Sequence, residues 1–327
     1  MTDLEKLAAG IHAADKASIS RALNMIENKR PEVERAVAEL LALLQNMRAK
    51  SFGHRVGLTG PPGVGKSSLV AVLARELRAR GLSVGVVAVD PSSVHSGGAL
   101  LGDRARMAFD PNDQGLFVRS LATQGALGGL AHPTHAAVEV LAAAYDIVLV
   151  ETVGVGQTEV AVTQVADSVV LVVQPGSGDI LQFLKAGVME IPDLLVVNKA
   201  DHGPTAQRAA SDLKSALSTL RQVGAGEGDQ AVILTSARDN AGVDTFADAL
   251  AAHRALLGDV GVAARREHGH VAWAYAWLER RVGQLGLDAL DGAPAVRAQL
   301  EASAHAGESP LRVAQTLADG LRVIRTP

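Results

Sequence analysis

The chain has 327 residues, 48% of them hydrophobic, enough for a large core and, at roughly 150 residues per domain, for about two domains. Aromatic residues make up only 3% and the net charge is −4, which excludes a multi-base stacking platform and any general electrostatic pull toward nucleic acid or an anionic membrane. With no cysteine, a disulfide scaffold, a thiolate metal site and a cysteine nucleophile are excluded too. The start, Met1-Thr-Asp-Leu-Glu-Lys6, has no targeting pattern, and the longest apolar runs fall far short of the ~20 residues a membrane helix needs. A cytoplasmic protein is expected.

Residues 1–50 read as an all-helical leader: Ala17, Ile19, Leu23 and Ile26 share one face, and Pro31 opens the next helix. From Arg55 the pattern changes to short aliphatic runs at Val56–Thr59, Val84–Asp90, Phe117–Leu121, Ile147–Glu151, Val169–Val173, Leu194–Asn198 and Val232–Ser236, separated by helical stretches. Such alternation predicts an α/β fold, a doubly wound and mostly parallel sheet, over residues 51–256. Strand signals then stop, and Ala263–Leu285, Ala293–Ala304 and Pro310–Ile324 predict a helical segment over 257–327.

Gly60-Pro-Pro-Gly-Val-Gly-Lys-Ser67 matches G-x-x-x-x-G-K-S/T between a predicted strand and a predicted helix. Gly60, Gly63 and Gly65 let backbone amides curl round phosphate oxygens, with Pro61, Pro62 and Val64 completing the loop and Ser68 following it; the helix dipole adds to the attraction. Lys66 is expected at the β and γ phosphates and Ser67 on Mg2+. Magnesium takes hard oxygen ligands, and Asp90 and Glu151 end neighbouring strands where such ligands belong. Lys66, Asp90 and Glu151 are therefore catalytic candidates.

Asn198-Lys-Ala-Asp201 closes a further strand with N-K-x-D. A carboxylate at Asp201 accepts from both guanine N1–H and the 2-amino group, a donor pair adenine lacks, so GTP is expected over ATP. Asn198 is expected to tie the base loop to the P-loop, the Lys199 stem to lie along the base, and Ser236 and Ala237 to offer amides near the guanine carbonyl. In small GTPases a glutamine after D-x-x-G often orients the attacking water; here that position is Val155, with Gln157 the nearest amide, so slow intrinsic turnover is expected.

With these residues in view, the chain resembles the MeaB/ArgK-type P-loop GTPases, chaperones of adenosylcobalamin-dependent acyl-CoA mutases such as methylmalonyl-CoA mutase. The resemblance is carried by Ala88-Val-Asp-Pro-Ser-Ser93, Gly97-Gly98 through Leu101-Gly-Asp103 and Arg106-Met107, Leu127-Gly-Gly129, Glu151-Thr-Val-Gly-Val-Gly-Gln157 and Asn198-Lys-Ala-Asp201. Ala14–Leu23 also looks like that family's N-terminal helix. The resemblance implies that Asp90 and Asp103 belong to a first switch with the metal, Glu151 to a second, and Asp179, Gln182 and Lys185 to a third, with Lys185 added to the catalytic set. It further implies a homodimer joined by the C-terminal helices, a client mutase that stimulates hydrolysis, and a cobalamin adenosyltransferase as a cofactor source. Val94-His95 and Ala186 depart from the family's usual residues.

The readings weighed against this one are a nickel metallochaperone GTPase, disfavoured by the lack of cysteine, a transport-linked ATPase or kinase, disfavoured by N-K-x-D, and a scaffold without useful hydrolysis. His95, His268 and His270 read as surface residues, since no ligand cluster accompanies the last two in sequence. Trp273, Tyr275 and Trp277 gather three of the four Trp and Tyr residues on one helix. That cluster reads equally as packing onto the sheet domain or as a dimer contact, and on the second reading Trp273→Ala weakens dimerisation.

Overall fold

The computed structural model describes residues 1–28, 30–47, 53–90, 110, 112–122, 132–152, 161–176, 191–222 and 230–325. Three helices lead: α1 (Asp3–His12), α2 (Lys16–Ile26) and α3 (Pro31–Asn46). Thr2 and Glu5 form a reciprocal capping box on α1, the Asp15 carboxylate accepts from Ser18 N at 2.8 Å to cap α2, and Pro31 starts α3 where its missing N–H costs nothing. Leu7, Ile11, Ile19, Leu23 and Leu40 are all buried, and at ~1.5–3 kcal/mol per buried aliphatic side chain packing outweighs helix propensity here.

The sheet follows: β1 (His54–Thr59), α4 (Lys66–Ala79), β2 (Val84–Asp90), β3 (Leu116–Ala122), α5 (His132–Ala144), β4 (Ile147–Glu151), β5 (Ser168–Val173), β6 (Leu194–Val197), α6 (Pro204–Gln222) and β7 (Ala231–Leu234). All pairings are parallel, in the order β3-β2-β4-β1-β5-β6-β7. Strands β4, β5 and β6 are fully buried and almost wholly aliphatic because both faces are covered. Val170 and Val172 face α4, whereas Val169 faces the α5 side and Leu171 and Val173 pack under α6. No helix among the described residues is long and apolar enough to cross a membrane.

The C-terminal part is α7 (Val243–Asp288), α8 (Gly292–His305) and α9 (Pro310–Arg325). α7 starts twenty residues before the predicted Ala263, because Phe246, Ala247 and Leu250 belong to the sheet's own core. It is broken at Gly258 (φ 60°) and again at Gly283 (φ 65°). Beyond Gly258 the helix crosses to the opposite face, where α8 and α9 join the leader and α5 in one core. The segments read as separate extensions at the two ends of the sequence thus meet: Gln315 Nε2 donates to Glu34 O at 3.2 Å, and Arg281 and Arg35 pair with Glu34 and Asp319 at 3.4 and 3.1 Å.

Trp273, Tyr275 and Trp277 are buried in this intramolecular core. Trp273 stacks on His135 of α5, ring centroids 4.3 Å apart and planes 5° from parallel, so packing within the chain accounts for the cluster.

A chain of polar groups locks α7 on either side of Gly258 to the end of the sheet where β1 and β5 begin. His54 Nε2 and His253 Nδ1 lie 2.7 and 2.6 Å from Ser168 Oγ, and His253 Nε2 is 3.2 Å from Asp193 Oδ1. Arg265 grips Asp193 through two 2.7 Å hydrogen bonds, and Arg266 grips Asp167 at 2.7 and 2.5 Å. Alongside, Arg55 donates to both oxygens of Glu139 at 2.7 and 2.8 Å, with both side chains at most 3% exposed. His270 Nε2 lies 2.7 Å from Glu139 Oε1. The reading of His268 and His270 as surface residues therefore holds for exposed His268 only; His270 has a buried partner 131 positions away, which local sequence could not reveal.

Candidate nucleotide site

β1 is central, and its chain leaves the sheet into residues 60–65 before α4 begins at Lys66. The sequence needs glycine here for reasons of space. Gly60 has φ +141°, and a Cβ would stand 2.1 Å from Val172 O; Gly65 has φ +89°, and a Cβ would stand 2.7 Å from Asn198 Nδ2. Any side chain at either position would push the loop off β5 or off the base loop. Lys66 is buried, its ammonium donating to Gly60 O at 2.7 Å and Pro61 O at 3.0 Å, so its charge is held over the mouth of the loop. Val64 is fully buried, anchoring the loop to the core, and Ser68 lies on the exposed side of α4.

β1 and β4 pair with Leu58 opposite Glu151, which sets the carboxylate beside the loop. Thr152 fixes the end of β4, its N and Oγ1 donating to Leu58 O at 3.1 and 3.3 Å. Ser67 Oγ then donates to Glu151 Oε1 at 2.6 Å. Two hard oxygens sit side by side. Adjacent ligands of an octahedral Mg2+ at 2.0–2.1 Å lie about 2.9 Å apart, so a shift of about 0.3 Å opens this pair to the ion. Asp90 closes β2 at the same edge of the sheet. Its side chain lies outside the described residues, as do Asp103, the Gly154–Gln157 stretch, Asp179, Gln182 and Lys185.

The base loop is tied in as expected. Asn198, 2% exposed, donates from Nδ2 to Val64 O at 2.9 Å, and its Oδ1 accepts from Ala237 N at 3.2 Å and Thr235 Oγ1 at 3.4 Å. One amide thus joins three segments. Lys199 takes a left-handed backbone (φ 61°) and sends Nζ to Gly63 O at 2.9 Å and to Gln174 Oε1, laying its stem across the space between P-loop and base loop. Asp201 sits on a single 3-10 turn, its Oδ1 3.1 Å from Ser236 Oγ. Arg238 approaches Asp201 at 3.7 Å but is 81% exposed and contributes little.

Two residues differ from expectation. The amides of Ser236 and Ala237 were expected at the guanine carbonyl; Ser236 N instead donates to Ala241 O at 2.9 Å, because a short antiparallel bridge closes that turn. Ala237 N is engaged by Asn198 Oδ1, and serves a base only as a shared donor. Gln174 was missed, and Thr235 was read only as part of the last strand, without a site role: each is a polar residue directly after a strand of this edge, which is the signal that could have found them.

Comparisons with known proteins agree with this geometry. Residues 19–289 match the family described as methylmalonyl Co-A mutase-associated GTPase MeaB. A putative GTPase of Pyrococcus horikoshii is 46% identical over 202 residues, 62% of each chain. A probable GTPase of Mycobacterium tuberculosis is 38% identical over 322 residues, 96% of this chain and 94% of that one. The mouse mitochondrial methylmalonic aciduria type A homolog is 34% identical over 309 residues, 91% of this chain and 73% of its own. Among solved structures, one titled LAO/AO transport system kinase superposes over 98% of this chain and 99% of its own, with TM-score 0.66 and 26% identity. With the P-loop, the acid-ended strand and the Asn198–Asp201 loop assembled at one edge of a parallel sheet, the chain belongs to the MeaB family of methylmalonyl Co-A mutase-associated GTPases and is a GTP hydrolase.

Proposed function

We propose that the chain is a magnesium-dependent GTPase that serves as chaperone to an adenosylcobalamin-dependent acyl-CoA mutase of the methylmalonyl-CoA mutase type, gating cofactor loading from an adenosyltransferase and protecting or reactivating the enzyme. The family match over residues 19–289 carries this reading, supported by the mouse relative named for methylmalonic aciduria. The working unit is a cytoplasmic homodimer, with residues 51–256 as the GTPase domain, 1–50 as a helical leader and 257–327 as the dimerisation arm.

The site supports the following roles. Residues 60–65 present backbone amides to the phosphates, and Lys66 swings from the Gly60 and Pro61 carbonyls to the β and γ phosphates. Ser67 and Glu151, with Asp90 and Asp103, would hold Mg2+, which would supply positive charge to neutralise the phosphates. Asn198 keeps the base loop in register with the P-loop, and Asp201 reads guanine. Asp179, Gln182 and Lys185 form a switch segment that completes the site when the client docks.

GTP turnover measured with and without a candidate mutase tests the reading: a several-fold rise on adding the client is expected, and turnover indifferent to every cobalamin-dependent acyl-CoA mutase overturns it. Lys66→Ala is expected to lose nucleotide binding, read by titration with a fluorescent GDP. Asp201→Asn replaces one of two acceptors facing guanine with a donor, so GTP affinity should fall roughly 10²–10³-fold while xanthosine triphosphate, which carries a carbonyl at that position, gains. Equal GTP affinity in wild type and Asp201→Asn would remove Asp201 from the base site.

A further inference from the structure

We propose that His135, Glu139 and His270 form a binding site for a borderline divalent cation of the zinc type, at the seam between α5 and α7 and separate from the nucleotide site. His135 and Glu139 are four residues apart on α5 and so point the same way, and α7 brings His270 across to them. His270 Nε2 is 2.7 Å and His135 Nε2 4.0 Å from the same Glu139 oxygen. All three ligand atoms lie within 4.8 Å of one another, the one such group among the described residues. His135 is 3% exposed and its Nε2 has no hydrogen-bond partner, a buried ring nitrogen 4.0 Å from a carboxylate oxygen it does not reach.

A tetrahedral ion with bonds of about 2.0–2.1 Å holds its ligand atoms about 3.3 Å apart. The 2.7 Å contact must open and the 4.0 Å contact close, each by less than about 1 Å, and the two imidazole nitrogens, at most 4.8 Å apart, must close by no more than about 1.5 Å, shifts within the reach of side-chain rotation. Two imidazoles and one carboxylate suit zinc, cobalt or nickel and not magnesium or calcium, which take oxygen shells. The surroundings resemble those of a built site. Arg55 donates to both Glu139 oxygens and so orients the carboxylate, and Trp273, stacked 4.3 Å above His135, fixes the imidazole plane. The positive charge of Arg55 opposes the ion, and ionisation of a water in the fourth position offsets part of that, since zinc-bound water loses its proton near neutral pH. His270, 17% exposed, gives the route in. Filling the site pins the arm helix to the sheet layer, since its ligands come from both.

Calorimetric titration of the full chain, stripped with chelator and held in Mg2+ and GDP, tests this. One Zn2+ per chain with a rise in Tm is expected, and Co2+ should give the visible absorption of a tetrahedral site. His270→Gln, at the partly exposed ligand, and His135→Ala should each weaken uptake at least tenfold, whereas His268→Ala, two positions away on the exposed side, should not. His270→Gln keeps the proposal testable if His135→Ala fails to fold. Absence of stoichiometric uptake, or uptake that survives His270→Gln but disappears in His268→Ala, would overturn it.

Discussion

Lowering the pH from 7 to 4.5 is expected to remove about 5 kcal/mol of folding stability, through histidines that the fold keeps neutral. Burial, with the nearby cations Arg254 and Arg266 and with His253 adding to it against the pull of Asp167, pushes His54 down to about 4. Burial, with a smaller contribution from Arg280, pushes His132 down to about 3. His135 is held well below its ordinary range chiefly by burial. In the unfolded chain each takes up a proton near pH 6.5, while the native state does not. Stability is therefore complete above about pH 6.5 and falls as the pH drops toward the folded values, each of His54 and His132 costing about 1.4 kcal/mol per pH unit. Over the two units from 6.5 to 4.5 the pair accounts for the figure, and His135 adds to it.

The carboxylates act lower. Burial pushes Asp193 up, but hydrogen bonds from Arg265 and His253 outweigh it and hold the carboxyl below its usual range, so its contribution is lost only below about pH 4. Urea unfolding followed by circular dichroism at pH 7, 6, 5 and 4.5 measures the slope. His132→Phe keeps a ring against Trp273, 4.6 Å away in the wild type, and should reduce the slope by about one proton. A flat profile between pH 6.5 and 4.5 would mean that these histidines titrate normally in the native state.

The same histidines show where sequence stops being informative. Gly60 to Ser67, Glu151 and Asn198 to Asp201 stand out in the sequence because sites for phosphate, metal and guanine demand fixed residue types at fixed spacing after a strand. The sheet could be read because doubly covered parallel strands are continuously aliphatic, as at Val169 to Val173. Glu139, His135 and Arg55 carry no such signal. Their chemistry depends on partners 84 to 138 positions distant, and a His or Glu on a helix is most often solvated. The meeting of α3 with α9 was hidden for the same reason, since amphipathic helices announce a buried face without naming what covers it. Gly258 could have been read: a glycine inside an apolar helical pattern is a standing candidate for a break, and there α7 changes sides of the sheet.

Asp167→Ala is expected to destabilise the protein by about 3–5 kcal/mol, lowering Tm by about 10 °C, without changing GTP affinity. Asp167 is fully buried, accepts two hydrogen bonds from Arg266 and takes the Arg55 amide at 2.9 Å. Burial pushes its carboxyl up, but the Arg266 hydrogen bond and charge outweigh this, so the ionised form is the one the fold selects. Removing it takes from Arg266, itself 8% exposed, the carboxylate that receives two of its hydrogen bonds; the Gly53 carbonyl, 2.9 Å from Nη2, is an uncharged acceptor and does not replace it. A buried cation that loses its carboxylate costs more than the ion pair returned, so replacing both partners by apolar residues, Asp167→Leu with Arg266→Met, should recover much of the loss. GTP affinity should hold because Asp167 sits where β5 begins and the P-loop where β1 ends, a strand length of about 20 Å apart. A Tm shift with unchanged GDP titration places the residue in the clamp that fastens the arm. Weakened nucleotide binding at full stability would instead show that the two ends of the sheet communicate through it.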